Sequence, residues 1–448
     1  AGTQADGNSL RLSQRQSFAP RGIAGFQRAS SEWTSGMTRG GRLEGRELSR
    51  RAFAAASISA LSYGRILGAN DRISVGMIGC GRRGLLGEVL KFHKESNLQV
   101  SALCDTWRQQ REAAVAKVRD AAGNTPDTYV HYRDVLALPG IDAVVIGTPD
   151  HQHCRMLADA ARAKKDAYCE KPLAMEWKEL NIAVDAVKRN NRVVQIGTQV
   201  RSWPGPAAAA AFIRSGGLGK VLKIEQARNG YKPYWHGYGE RKVEEADVDW
   251  KAFLMHRRYR PFNADQYAAW YGYRDFTAGP HSNLAVHFMD LVHYFTGAKY
   301  PLRAVTMGGI YRWKDARTCP DSIETILEYP QEGFMARYSS VFGNGAGSYM
   351  KVFGTRGVLD CSNWGKLPEI SGDGSQEPDK IAPGTKVPEV EVTHHMKNFF
   401  DCVRSRKEPM APIDAGYGHS IAALLSDEAF VRGRRMVYDP AAKKIREA

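Results

Sequence analysis

From Ile73 onward the chain alternates short apolar runs with longer segments whose apolar residues recur every three or four positions. Ile73 to Ile78, Gln99 to Leu103, Ala143 to Ile146, Ala167 to Cys169 and Val193 to Ile196 are runs without polar alternation, the mark of strands covered on both faces. Between them, Gln152 to Ala163 and Glu176 to Arg189 carry helical periodicity, so the rhythm predicts a doubly wound parallel sheet. Beyond residue 200 the pattern changes. Val221 to Ala227, Thr325 to Tyr329, Ala336 to Val341 and Tyr349 to Phe353 predict a large, open, mostly antiparallel sheet, with helices at His395 to Ser405 and near Gly418 to Val431. The expected fold is an N-terminal Rossmann domain over 71–200 followed by an α+β domain over 201–448 for substrate and subunit contacts.

Residues 1–70 read differently. Positions 1–48 are rich in Gly, Ser and Arg with no apolar period, which predicts a disordered leader. Ser49-Arg50-Arg51-Ala52-Phe53 then forms a twin-arginine box before the weakly apolar Ala54 to Leu61, with small residues at Leu67-Gly68-Ala69 for cleavage. This predicts export to the periplasm or beyond. The rival readings are an organellar transit peptide, which is also rich in Arg and Ser, and a cytoplasmic protein with a chance Arg pair.

Composition narrows the class. No stretch reaches the roughly 18 apolar residues of a membrane span, so no stable membrane anchor is expected. Of the net charge of +15, residues 1–70 hold +6, from 10 Arg against 4 acids. The remaining cations are interspersed with acids, which argues against a nucleic-acid groove. Seven cysteines, odd in number, widely spaced and without a C-x-x-C pair, exclude a disulfide framework and a zinc finger.

The chemistry begins where the first strand ends. Gly79-Cys80-Gly81-Arg82-Arg83-Gly84 is G-x-G-x-x-G between a strand and a helix, where Gly79 permits the tight turn, Gly81 admits a pyrophosphate and Gly84 allows helix to pack on strand. The helix N-terminus is expected to offer N–H groups to the phosphates. Asp105 follows the second strand about 20 residues on, placed for the adenosine ribose, although capping the next helix would serve equally. Its charge favours NAD over NADP, while Arg108 stands near enough to accommodate a 2′-phosphate.

These motifs, the Thr148-Pro149-Asp150-His151-Gln152-His153 loop, Glu170-Lys171-Pro172 and Val194-Gln195-Ile196-Gly197-Thr198-Gln199 resemble, in that order, the glucose-fructose oxidoreductase, inositol dehydrogenase and rhizopine catabolism (Gfo/Idh/MocA) family over roughly residues 70 to 440. The resemblance implies a cofactor site that includes Arg82, Arg83, Thr148, Pro149, His151, His153, Glu170 and Gln199 besides the glycines, and a sugar or sugar derivative as substrate. It also implies an open sheet that covers the pocket and joins subunits into a dimer or tetramer. Lys171 takes the family's place at the nicotinamide end, where an ammonium can hydrogen-bond the oxygen that becomes a carbonyl. His151 and His153 lack the further ligands a metal needs, so no metal is expected.

The family's acid and histidine, four apart, match Asn283 and His287, which the spacing sets on one helical face. His287 is a candidate base and Asn283 is a departure, since an amide takes no proton. Without that carboxylate the imidazole is expected to stay neutral to lower pH. The bland alternative is a satisfied core histidine. His281 is a second candidate at the helix start. Aromatics crowd residues 231–273, and Asn229, Tyr231 and Trp235, just after a strand, are expected to line a sugar pocket, with Trp250 in the core.

An exported enzyme has no free dinucleotide pool to draw on, so the cofactor is expected to be tightly held and restored within each cycle. Sugar oxidoreduction is the leading reading. A glycosidase working through transient oxidation, elimination and re-reduction is the second, and a non-catalytic sugar-binding relative is the third.

Overall fold

The computed structural model describes residues 71–233, 236 and 241–448; the leader, the twin-arginine box and Trp235 lie outside the described residues. Six strands, β1 (Ile73–Ile78), β2 (Leu98–Cys104), β3 (Asp127–Tyr129), β4 (Ala143–Ile146), β5 (Asp166–Cys169) and β6 (Val194–Ile196), form a parallel sheet in the order β3-β2-β1-β4-β5-β6. Strand β1 shows why: Val75 and Met77 face one apolar layer and Ile78 the other, all nearly inaccessible. Helices Tyr132–Ala137, His153–Arg162 and Trp177–Arg189 cover one face, and Leu85–Lys91 and Arg108–Ala122 the other.

The second face is completed from far along the chain. Helix His395–Ser405 lays Met396, Phe399 and Phe400 among Val75, Met77, Val100 and Tyr168. Its start is pinned at β6, where Gln195 Nε2 donates to His395 O (2.5 Å) and the His395 ring meets Ile196 O (2.9 Å). The packing of the first domain therefore does not stop at residue 200, because a half-covered parallel sheet would leave apolar side chains in water.

The second sheet holds β7 (Val221–Ala227), β8 (Arg303–Gly309), β9 (Ser322–Tyr329), β10 (Phe334–Val341), β11 (Tyr349–Gly354), β12 (Gly357–Asp360), β13 (Glu369–Ser371), β14 (Met436–Asp439) and β15 (Lys444–Glu447), in the order β13-β12-β11-β7-β10-β9-β8-β14-β15. All pairs are antiparallel except β7 with β10. Alternate residues of β9 and β10 are buried under helices that include Ala285–Thr296 and Ile413–Arg432, and the other face exposes Met307, Met335 and Ile326. No helix among the described residues is long and apolar enough to cross a membrane.

One buried ion pair ties helix Ala285–Thr296 to the segment that leaves the last strand of the first sheet. Arg201, just past β6, donates from Nε (2.6 Å) and Nη2 (2.9 Å) to both oxygens of Asp290 on helix Ala285–Thr296. The guanidinium holds the Asp290 carboxyl well below the usual range against the pull of burial, with His419 assisting. A bidentate pair of this kind fixes direction as well as distance, and it locates the turn carrying His287.

Phe399→Ala is expected to cost about 3–5 kcal/mol in urea unfolding, the range for a buried Phe in a core that cannot collapse. A cost under about 1 kcal/mol would mean that the helix is not part of the first domain's core.

Candidate functional site

The turn after β1 is shaped by close approach. Gly79, at φ +90°, lies against the end of β4 so tightly that a Cβ would stand 2.6 Å from Gly147 O. A Cβ on Gly147 would meet Leu85 Cδ1 at 2.7 Å, so Gly147 is the residue that lets the helix pack on the strand. Gly84 has nothing nearer than 3.9 Å; its need for glycine is the left-handed φ of +76° at the helix cap. This corrects the packing role expected for it. At Gly81 a Cβ would meet nothing within 4 Å, which leaves the open surface that a pyrophosphate requires. The helix that follows, Leu85–Lys91, has only two turns, so its dipole adds little and the loop N–H groups matter more.

That open surface belongs to a cavity of about 870 Å³ along the carboxyl ends of β2, β1, β4 and β5. The volume suits a small-molecule site, roughly 300–1,000 Å³, and the sheet reverses strand order between β1 and β4, where such sheets take their ligands. Gly79, Gly81, Arg82, Arg83, Asp105, Thr148, Pro149, Glu170 and Lys171 all line it. The cover over it is segment 241–271 rather than the open sheet, none of whose strands reaches the cavity.

Asp105 accepts from Cys80 N (2.8 Å) and Trp107 N (2.9 Å), tying the second strand to the glycine turn. Burial pushes its carboxyl up, and those two donors with Arg111 and Arg241 pull it back. Arg108 does not turn toward it. Its guanidinium is paired with Asp247, outside the cavity, because the nearest unneutralised carboxylate lies there.

The next two loops lock together. His153 contacts Pro172 O (2.7 Å) and Thr148 O (2.8 Å), and His151 meets Phe253 O (2.9 Å); both histidines are buried structural links and neither lines the cavity. Glu170 pairs with Arg83 (2.8 Å) and accepts from Lys171 N (3.1 Å). Gly197 makes this possible, since its Cβ would stand 2.8 Å from the Glu170 carboxyl. The side-chain oxygen of Gln199 is buried without a partner, away from the cavity lining.

Lys171 Nζ donates to Asn283 O (2.8 Å), joining the two domains at the cavity's end. Burial lowers its pKa while Glu170 and Asp150 hold it up. Asn283 and His287 do not share one continuous helix: Pro280–Asn283 stops at Leu284, and Ala285–Thr296 begins anew. The Asn283 side chain lies by the buried Asp150 carboxylate and favours its ionised form. His287 is 9% exposed, and its pKa is driven well below 6.5 by burial first and then by Lys171 and Arg228, with Asp290 opposing. The neutral imidazole expected from the missing carboxylate is thus present, but burial and two cations are the larger reasons.

Other candidates are placed elsewhere. His281 is fully buried against Phe430, with both ring nitrogens unpartnered. Asn229 spends its amide on Ala346 O (2.9 Å) and Val341 N (3.1 Å), and Tyr231 is 72% exposed. Neither lines the cavity, because the chain leaving β7 is drawn to its sheet neighbours. The aromatics that do line it are Trp107, Tyr132, Phe253, Tyr267 and the stacked pair Trp270 and Tyr271 (centroids 3.6 Å apart); of these, Trp270 and Tyr271 belong to the aromatic-rich stretch singled out in the sequence. Trp250 is core, stacked on Phe253. Glu176, Glu179 and His256 gather at the cavity's edge, where Arg257 and Arg155 already neutralise the two carboxylates, so the group is an ion-pair network.

A doubly wound sheet with its glycine turn, ribose-side carboxylate and cavity at the switch point defines a dinucleotide-binding enzyme fold. Residues 73–198 match the oxidoreductase family with an NAD-binding Rossmann fold, and 251–424 match its C-terminal α/β domain. The chain belongs to the Gfo/Idh/MocA family of oxidoreductases. It is 27% identical over 185 residues to a glycosyl hydrolase family 109 protein of Shewanella sp. (37% of this chain, 40% of that one) and 30% identical over 157 residues to the uncharacterized oxidoreductase YrbE of Bacillus subtilis (34% and 44%). These matches span less than half the length of either relative. Among solved structures, the WlbA dehydrogenase of Bordetella pertussis, in complex with NADH and UDP-GlcNAcA, superposes with TM-score 0.62 at 17% identity (81% of this chain, 98% of that one). An NAD-binding protein of Listeria innocua gives 0.60 at 20% (82% and 96%).

The buried histidines make stability fall in acid. Burial holds His281 and His293 at about 3 and His395 at about 4. Unfolding releases them to about 6.5, so the unfolded chain binds protons the folded one refuses, and stability is lost as pH drops below that value. Each is expected to cost about 2 kcal/mol at pH 5 relative to pH 7. Urea midpoints at the two pH values measure it, with His281→Leu reducing the difference; equal midpoints in the wild type would contradict the burial.

Proposed function

We propose that this chain is an NAD-dependent oxidoreductase acting on a sugar or sugar derivative. The observation that carries the reading is the order of groups along one cavity, with the open Gly81 turn and Asp105 at one end and Lys171 at the other, hydrogen-bonded to Asn283 O; Asn283 and His287 themselves are buried and not among the cavity's lining residues. The residues fit a dinucleotide, because the room at Gly81 and the carboxylate of Asp105 are what pyrophosphate and ribose need. The negative Asp105, with Arg108 committed to Asp247, favours NAD over NADP. Bound there, the nicotinamide ring supplies a hydride acceptor.

The chain's own residues do the rest. Lys171 donates a hydrogen bond to the substrate oxygen and steadies the charge that gathers on it. Neutral His287, whose Nδ1 has no partner in the protein, takes the hydroxyl proton. Trp270 and Tyr271 offer flat faces to a sugar ring. We assign residues 1–70 to a twin-arginine leader, 71–200 to cofactor binding and 201–448 to substrate binding and oligomerisation through the sheet face that exposes Met307 and Met335. The protein is then exported folded, with its cofactor inside.

The name of the Shewanella relatives favours a second reading, hydrolysis of a glycoside through transient oxidation and re-reduction. Aryl glycosides incubated with purified protein and no added cofactor separate the two. Aglycone release without net change in nicotinamide absorbance supports hydrolysis, and reduction of the bound cofactor by a free sugar supports oxidoreduction.

Lys171→Met is expected to lower kcat/KM by about 10²–10³, the cost of removing one donor from a developing charge, with NAD affinity retained. Activity equal to wild type would remove Lys171 from the reaction. Denaturing the purified protein is expected to release NAD; release of NADP would overturn the cofactor assignment.

A further inference from the structure

Asn283 stands where the family carries an acid, yet the site is not without one. Asp150, between Pro149 and His151 on the loop after β4, is 2% exposed and lines the cavity. It accepts from Thr277 Oγ1 at 2.7 Å, Ser282 Oγ lies 3.5 Å away, and the neighbouring Asn283 side chain favours its ionised form. Asn283 in turn accepts from Lys171 Nζ through its backbone oxygen at 2.8 Å. One short segment, Thr277 to Asn283, therefore meets a buried carboxylate through its hydroxyls and the ammonium at the cavity's end through its last carbonyl.

We propose that Asp150 supplies, from the loop after β4, the carboxylate that the segment before His287 lacks, and that by holding the segment Thr277 to Asn283, whose last carbonyl accepts from Lys171, it is the positioning residue for Lys171. The inference rests on the proposed role of Lys171. An uncompensated buried carboxylate is costly, and Lys171 is among the groups that offset the cost here. Burial raises the Asp150 carboxyl, while His153, Lys171, Thr277 and Asn283 favour its ionised form. Lys171 is faced by Glu170 on its own loop, Asp150 on the next, Arg83 from the glycine turn and Arg228 from the end of β7; the two carboxylates hold its proton on and the two guanidiniums push it off. His287, on the following helix, feels the same ammonium. Moving the acid from position 283 to 150 keeps a negative charge beside Lys171.

The test reads Lys171 directly. Trace labelling of the folded, full-length protein with acetic anhydride at a series of pH values, followed by peptide mass spectrometry, gives the fraction of Lys171 that is unprotonated, whether or not a substrate is known. In Asp150→Asn the labelling curve is expected to move to lower pH, with reactivity at fixed pH rising roughly tenfold for each pH unit moved. Asn283→Asp alone is expected to move it to higher pH, and the exchange Asp150→Asn with Asn283→Asp to return it toward wild type. A curve for Asp150→Asn that coincides with wild type would overturn the proposal, because a loss of shape alone would not be reversed by the exchange. Should Asp150→Asn fail to fold by circular dichroism, Asn283→Asp decides: an unmoved curve refutes the electrostatic link. Shifted labelling with no sugar turnover would refute the enzymatic reading while leaving this one standing.

Discussion

Two glycines at the ends of adjacent parallel strands set the geometry on which everything else rests. Gly79 passes so close to Gly147 that a Cβ on it would stand 2.6 Å from Gly147 O, a Cβ on Gly147 would press on Leu85, and Gly147 N donates to Ile78 O at 2.8 Å. Strand order reverses between β1 and β4, so the connections from the two strands leave in opposite directions and a cleft opens beyond the strand ends. Asp105 and Lys171 line that cleft from β2 and β5 on either side, so positions distant in sequence come to face one cavity.

The second domain acts on this frame by reaching into it. The buried Arg201–Asp290 pair ties the helix carrying His287 to the segment that leaves β6, and the Lys171–Asn283 bond joins the two domains at the cavity. The return of Phe399 and Phe400 to the Rossmann sheet binds the chain's later half to its first strands. Both the chemistry and the stability are thus shared between domains that the sequence presents one after the other.

What could be read from the sequence was what local pattern encodes. Strand β7 falls at Val221–Ala227, and the parallel sheet, the mostly antiparallel sheet and the open Gly81 follow from period and motif. What could not be read depends on neighbours brought in by folding. Gly147, not Gly84, makes room for the helix, because the clashing atom belongs to Leu85. Asn229 is consumed by Ala346 and Val341, and His281 disappears beneath Phe430, although each is polar and well spaced in the sequence. Asp150 went unremarked inside its motif because its worth comes from Thr277 and Asn283, more than a hundred residues away.

The account stands on the claim that a dinucleotide crosses the glycine turn at Gly81. A Cβ there meets no protein atom within 4 Å, so Gly81→Leu starts into open space, and its melting temperature checks that the fold is kept. Titrating NADH into cofactor-free protein while following energy transfer from tryptophan to nicotinamide measures this directly. Saturable binding to the wild type, lost in Gly81→Leu at an unchanged melting temperature, is the predicted result; equal binding by both proteins would contradict it.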